Sequence, residues 1–292
     1  MRYDGVMYRP PGEWKSYLLQ CTVGCSHNAC TFCEAYKEKS FRIKPLDYVL
    51  EDIAAAAYYY PHTETVFVCD GDAILLPMDY WLAVLDALNK AFPRLRRITC
   101  YAGPMSTMTK TAQELKTLRE AGLGRCYLGV ETGDSELLRK VKKGVDAQQM
   151  LQAGLALREA GLDLWVTVIA GLEGAGEEAL MKNAALTADL LNRMAPEHIS
   201  VMTYMPMITT PMYQDILAGR FTVQSERETL METRELLKFL RLEGVHFTAN
   251  HSSNLLPLKG TISRDTEQFI ALLDQQIPLA GKESSTKLYR RG

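Results

Sequence analysis

The sequence predicts an α/β fold: a partial (β/α)6 TIM-like barrel with short N-terminal and C-terminal extensions. From Tyr17 onward, short strand-like runs alternate with longer helical ones, the pattern of a parallel sheet. The strand-like runs are near-continuously apolar, as strands covered on both faces are. Six such strand–helix units are present, two short of a closed eight-stranded barrel. A doubly wound sheet shares the same local pattern.

The strands read as 17–21, 65–69, 97–101, 125–130, 164–170 and 198–204. The first helix begins at Pro45, a residue suited to the first helical position, and ends before Pro61. Further helices read as 78–91, 111–121, 134–142, 146–160, 177–193 and 226–242, with Gly122 and Gly161 just past two of them as C-terminal caps. HFTA at 246–249 reads as a short strand and 263–276 as a final helix. Residues 1–292 read as a single domain, in which 17–205 form the core, 1–16 an N-terminal extension, and 206–292 the sixth helix plus a C-terminal segment that closes the barrel. The basic end LYRRG reads as a solvated tail.

Composition narrows the function. With 292 residues, 47% of them hydrophobic and 23% charged, and a net charge of −2, neither disorder nor a strongly basic nucleic-acid surface is expected. The most apolar stretch, Leu164 to Leu172, is nine residues long, far short of the ~20 that cross a bilayer. The N-terminus carries charges and paired prolines where a secretory signal needs an apolar run. The expectation is a cytoplasmic protein without membrane contact.

Seven cysteines occur, at 21, 25, 30, 33, 69, 100 and 126. An odd number in such a chain argues for metal or redox chemistry over a disulfide framework. Cys25, Cys30 and Cys33 stand as C-x4-C-x2-C directly after the first strand. Three thiolates hold three irons of a four-iron cubane and leave the fourth without a protein ligand, whereas four-cysteine electron-transfer clusters are closed. Gly24 supplies the turn out of the strand, so Cys25 is read as the first ligand and Cys21 as part of the strand end. Cys21, Cys25, Cys30 and Cys33 together also suit tetrahedral zinc, although structural zinc sites usually join two well-separated pairs. Cys69, Cys100 and Cys126 read as buried thiols in apolar strands.

GCSHNACTFC after a strand, with Phe32 inside the last cysteine pair, resembles the cluster loop of the radical S-adenosylmethionine (SAM) superfamily. The branch it most resembles lies near oxygen-independent coproporphyrinogen oxidase and Elp3. The usual loop is C-x3-C-x2-C; this one carries an extra residue. The resemblance runs over roughly residues 17 to 205 and implies a [4Fe-4S] cluster on Cys25, Cys30 and Cys33, with SAM beside it. CDGDA (69–73) stands where the family has Gly-Gly-Glu, which implies that Asp70 or Asp72, with Asp72 at the acidic position, faces the methionine amino group. Gly71 lets backbone approach closely there. GVETGDSELLRKVKKG (129–144) resembles the ribose-binding segment, with Glu131 on the hydroxyls and Lys143 on the methionine carboxylate. VIAGLEGAG (168–176) is similar to the adenine-contacting strand end, with Ile169 and Gly171 against the base. TTPMY (209–213) is also shared with this branch.

The activity implied is reductive cleavage of SAM to a 5′-deoxyadenosyl radical that abstracts hydrogen from a small or medium-sized substrate or short peptide. An electron donor such as flavodoxin or ferredoxin is implied as partner, and anaerobic oxidoreductase or transferase chemistry as the outcome. HFTANHSSNLLPLKG (246–260) concentrates polar side chains before an apolar patch. Asn250, Ser253 and Asn254 are its candidate substrate contacts, and His251 is the candidate acid or hydrogen-bond donor. His27 in the cysteine loop suits a loop-fixing hydrogen bond. With no cysteine after Cys126, no auxiliary cluster is expected, nor a cobalamin domain or an appended RNA-binding module. An iron–sulfur electron carrier and a zinc-stabilised binding protein are the competing readings.

Overall fold

The computed structural model describes residues 1–281, so the LYRRG tail lies outside the described residues. The chain forms two compact units, one of residues 1–28, 35–128 and 152–164, the other of residues 29–34, 129–151 and 165 onward. In chain order the elements are β1 (Tyr17–Gln20), β2 (Thr22–Val23), β3 (Arg42–Ile43), α1 (Leu46–Tyr59), β4 (Thr65–Cys69), α2 (Met78–Ala91), β5 (Arg97–Tyr101), α3 (Pro104–Met108), α4 (Ala112–Glu120) and β6 (Leu123–Glu131). There follow α5 (Ser135–Lys140), α6 (Ala147–Glu159), β7 (Asp163–Ala170), α7 (Glu177–Met194), β8 (His198–Thr203), α8 (Pro211–Leu217), α9 (Glu226–Phe239), β9 (His246–Ala249), β10 (Leu258–Thr261) and α10 (Thr266–Gln276).

Eight strands hydrogen-bond in the order β1–β4–β5–β6–β7–β8–β9–β10. Pairs β1–β4, β4–β5, β5–β6, β7–β8 and β8–β9 are parallel, and β9–β10 is antiparallel. The six strands read from the sequence are all present, and the sheet exceeds them by two. β9 is the HFTA strand. β10 carries LKGT, in which Lys259 and Gly260 are poor strand formers, and it pairs with β9 from Leu258↔Ala249 to Thr261↔His246. β2, β3, α3 and α8 are likewise additions, each too short for a periodicity to show.

In the first unit, Val66, Phe67, Val68, Ile98 and Cys100 of the strands and Trp81, Leu85 and Leu88 of α2 are all buried. Pro45 and Pro77 stand just outside α1 and α2, one residue ahead of their first turns. Thr111 and Glu114 close a reciprocal capping box on α4, and Gly122 and Gly161 take φ of +116° and +80° as the expected caps. The N-terminal extension is tied in by a short 3-10 turn over Pro11–Glu13. It buries Glu13, whose carboxylate accepts from Tyr127 Oη at 2.6 Å and from the Ser16 hydroxyl.

In the second unit, α7 and α9 pack along each other, and Val166, Val168, Ile199, Val201 and Phe247 fill the strand core. β7 departs from the both-faces-covered expectation. Its residues alternate between half-buried and buried, with Trp165, Thr167 and Ile169 on the less covered face.

Candidate cofactor site

The first unit supplies two strand ends in register. Gln20 pairs with Cys69, so β1 and β4 finish level and their loops leave side by side. Cys21 N donates to Cys69 O at 3.0 Å, and Gly71 N to Gly24 O at 3.1 Å. Gly24, at φ +79°, makes the turn that only glycine makes without strain. A Cβ at Gly71 would stand 2.6 Å from the Tyr36 ring and 3.0 Å from Cys25 Cβ. The close approach expected at Gly71 is thus made by the cysteine loop itself.

The two aspartates of this turn are held by the protein. Asp70 is fully buried, and its Oδ2 accepts from Gln20 Nε2 at 3.1 Å, Gly24 N at 3.0 Å and Lys39 Nζ at 2.8 Å. Its Oδ1 is buried without a partner. Asp72, 3% exposed, accepts from Gly103 N at 2.7 Å on Oδ1, and from Ser26 Oγ and Ser106 Oγ at 2.5 Å each on Oδ2. Both carboxylates therefore act as ties between loops, a role the motif alone does not reveal.

The seven thiols, all reduced, sort into two groups. Cys25, Cys30 and Cys33 are partly exposed, whereas Cys21, Cys69, Cys100 and Cys126 are buried. Burial pushes the Cys21 and Cys69 thiols well above the ordinary cysteine range. Cys21, the fourth thiol of the zinc reading, is thus fully buried while the other three are partly exposed. Among the described residues no three His, Cys, Asp or Glu side chains gather around a single ion. A cubane makes a different demand, since each thiolate binds its own iron, and three reachable thiols on one loop meet that demand chemically.

In the second unit the tip of the cysteine loop is pinned from both sides. Thr31 N donates to Val141 O at 3.0 Å, and Thr31 O accepts from Met212 N at 3.1 Å. Phe32 and Ile169 pack on one apolar cluster that includes Leu172, Tyr204, Met212 and Phe221, so two of the expected SAM contacts share a surface.

Glu131 and Lys143, assigned by resemblance to different parts of the ligand, meet each other: Lys143 Nζ lies 2.6 Å from Glu131 Oε1, with side chains 12% and 10% exposed. Lys143 is therefore not a solvated helix-end lysine. Glu131 sits at φ +65°, a conformation rare outside glycine that concentrates at functional sites. Room for the pair comes from Gly129, where a Cβ would collide with the Glu131 carboxylate and lie 3.0 Å from Lys143 Nζ.

Gly171 ends β7 at φ +85°. Its N–H donates at 2.9 Å to Glu232 Oε2 of α9, a residue not foreseen as part of the site. Glu232 is 4% exposed, and burial pushes its carboxyl above the usual range against three hydrogen bonds that favour the ion. A cavity of about 10 Å³ beside it, about the size of one water, is lined by Glu131, Asn183, Thr187 and Thr233 together with Ile169, Val201 and other apolar residues. The sequence signal was a carboxylate at i to Leu236 at i+4 on the buried face of α9.

The 246–260 segment forms β9, a turn and β10. Ser253 is buried, and its Oγ accepts from Thr203 N at 3.1 Å, fastening the turn to the end of β8. His251 Nδ1 lies 2.8 Å from Ser253 Oγ and accepts from Ser253 N at 3.1 Å. Asn250 is exposed and Asn254 half-buried, with Oδ1 unpartnered.

The fold is α/β with a mostly parallel sheet, and the loop that follows its first strands carries three partly exposed thiols. The chain belongs to the radical SAM superfamily, whose family model matches residues 19–186. The heme chaperone HemW of Bacillus subtilis (strain 168) is 22% identical over 231 residues, covering 76% of this chain and 59% of that protein. Solved structures of coproporphyrinogen III oxidase (HemN) from Escherichia coli and of an N-terminally truncated Elp3 from Methanocaldococcus infernus align with TM-scores of 0.58 and 0.51 at 19% and 15% identity. They cover 77% and 79% of this chain but only 51% and 58% of their own. At this identity the likeness establishes the fold. The chain spans less than two thirds of the length of these relatives. Among the described residues no helix is long and apolar enough to cross a membrane.

Proposed function

We propose that this chain is a radical SAM enzyme in which Cys25, Cys30 and Cys33 hold a [4Fe-4S] cluster and SAM binds beside it, in the cytoplasm. The observation that carries this reading is the sorting of the thiols: the three on the family's cluster loop are partly exposed, while the other four are buried. When bound, the pair supplies a reductive cleavage of the SAM carbon–sulfur bond that generates a hydrogen-abstracting radical. The protein's part is to bind, orient and exclude water. The Asp70 and Asp72 ties fix the two loops around Gly71 before any ligand arrives. Glu131 and Lys143 present a paired acceptor and donor, suited to ribose hydroxyls and the amino-acid end of SAM. Ile169 and Phe32 offer an apolar surface to the adenine, with Gly171 leaving it room. Asn250, His251, Ser253 and Asn254 are assigned to a small or medium-sized substrate, and a flavodoxin- or ferredoxin-like protein to electron supply.

Anaerobic reconstitution with iron and sulfide tests the reading. The native protein should take up about four irons, as a cubane requires, and release 5′-deoxyadenosine when given SAM and a strong reductant. Cys30→Ala should lose that release by at least ~10³-fold, because an open cluster needs all three thiolates, while Cys126→Ala retains iron. Equal iron retention and release in the two variants would sink the assignment.

A further inference from the structure

Gly171, Glu232, Asn183 and Thr132 form one buried chain of hydrogen bonds. Glu232 Oε2 accepts from Gly171 N at 2.9 Å and from Gln224 Nε2 at 2.8 Å. Glu232 Oε1 accepts from Asn183 Nδ2 at 2.7 Å. Asn183 Oδ1 accepts from Thr132 Oγ1 at 2.5 Å, and Thr132 Oγ1 accepts in turn from Asp134 N at 2.9 Å. Asn183, Thr132, Gln224 and Glu232 are all at most 5% exposed. One end of the chain is the glycine closing β7, and the other is the residue after Glu131, where β6 ends.

A carboxylate accepts and cannot donate. Glu232 therefore dictates the orientation of both amides it meets: Gln224 and Asn183 must turn their NH2 groups toward it. The Asn183 carbonyl is then left for Thr132, and Gln224 Oε1 faces the Gly171 side, 3.5 Å from where a Cβ would stand. That oxygen is buried without a partner. The anionic acceptor is thus the origin of a directional network.

Building on the SAM-binding assignment above, we propose that Glu232 is a positioning residue for the nucleotide. Its carboxylate, acting through Gly171 on one side and Asn183–Thr132 on the other, holds the strand ends that carry Gly171 and Glu131 in the conformation that receives adenosine. It touches no ligand.

The network's polarity offers a specific test. In Glu232→Gln the new carbonyl can keep Gly171 and Gln224, but the new NH2 faces the Asn183 NH2, donor against donor. Asn183→Asp alone opposes two carboxylates. The double variant restores every bond: the carboxylate introduced on α7 accepts from the amide introduced on α9 and from Thr132, with the charge moved from α9 to α7. SAM binding to reconstituted protein is measured by equilibrium dialysis, alongside iron content and melting temperature. Glu232→Gln should bind SAM roughly 10-fold more weakly with iron content unchanged, Asn183→Asp more weakly still, and the double variant within about threefold of native, the span of one to two buried hydrogen bonds. A merely structural role predicts a lower melting temperature with unaltered SAM affinity, and that outcome overturns the proposal. So does a double variant no better than Glu232→Gln. If the single variants do not fold, Thr132→Val, which removes one link of the network and leaves Glu232 in place, decides: weaker SAM binding at native iron content supports the proposal, and unaltered affinity refutes it. Failure of the native protein to bind SAM would instead overturn the reading on which this rests.

Discussion

Two strand ends in this protein are held in opposite ways. At the end of β4, the motif's own aspartates turn back into the protein, and Asp70 and Asp72 between them take six donors from neighbouring segments. At the end of β7 the motif brings no acid to its own backbone. The Gly171 N–H is met by Glu232, 61 residues away on α9. A turn can carry its own clamp or borrow one. In the first case the conspicuous acid is architectural, and in the second the architectural acid is inconspicuous.

The sharpest way to break this comparison is Asp72→Ala. It strands the Gly103 N–H and the Ser26 and Ser106 hydroxyls around a 3%-exposed site. Unsatisfied buried donors cost about 1–3 kcal/mol each, so a loss of roughly 3–5 kcal/mol in unfolding free energy is expected, read by denaturant titration. A variant of native stability that no longer binds SAM would show that Asp72 serves the ligand, and the contrast with Glu232 would fall.

A smaller effect is expected at the Glu131–Lys143 pair. Lys143→Met removes the cation from a carboxylate whose side chain is 10% exposed. Leaving a largely buried charge without its partner should cost about 2–3 kcal/mol, with recovery when Glu131→Gln is added. Recovery of stability without recovery of SAM binding would sharpen the comparison, because it would separate this pair's structural role from its ligand role.

How far the sequence discloses the site follows from the range of the contacts. The cysteine loop, Gly71 and the Glu131–Lys143 spacing are legible because each lies within a short motif at a strand end. The βα alternation is legible because strands and helices carry their own periodicities and caps. Glu232, Asn183 and Tyr36 are not, since each is defined by a partner from another element. Gly129 could be read only once the Glu131 side chain was known to fold back across it. β10 has the same origin: Gly260 and Lys259 form a strand because β9 offers an open edge, so a segment read as a cover over the barrel is partly an extension of the sheet. The motif also suggested a ligand role for Asp72 without showing the donors that already surround it.

The smallest effect concerns His251, where the clamp is again local. Burial holds its imidazole below the ordinary histidine range, and Nδ1 accepts from Ser253 N, which places the proton of the neutral ring on Nε2. The sign follows from linkage. The unfolded chain takes up a proton near pH ~6.5, the folded chain only at lower pH, so this residue's contribution to stability is complete above pH ~6.5 and is lost as pH falls through the folded value. NMR titration should place the His251 midpoint below ~6.5, with the Ser253 amide shifting on the same curve as a second N–H comes to face it. If His251 also serves the substrate, His251→Ala should leave 5′-deoxyadenosine release intact while product formation falls. A midpoint at or above the ordinary value would show that Ser253 does not hold the ring as an acceptor. Equal turnover in the alanine variant would remove the 246–260 segment from the substrate site and leave it, like Asp72, as part of the frame.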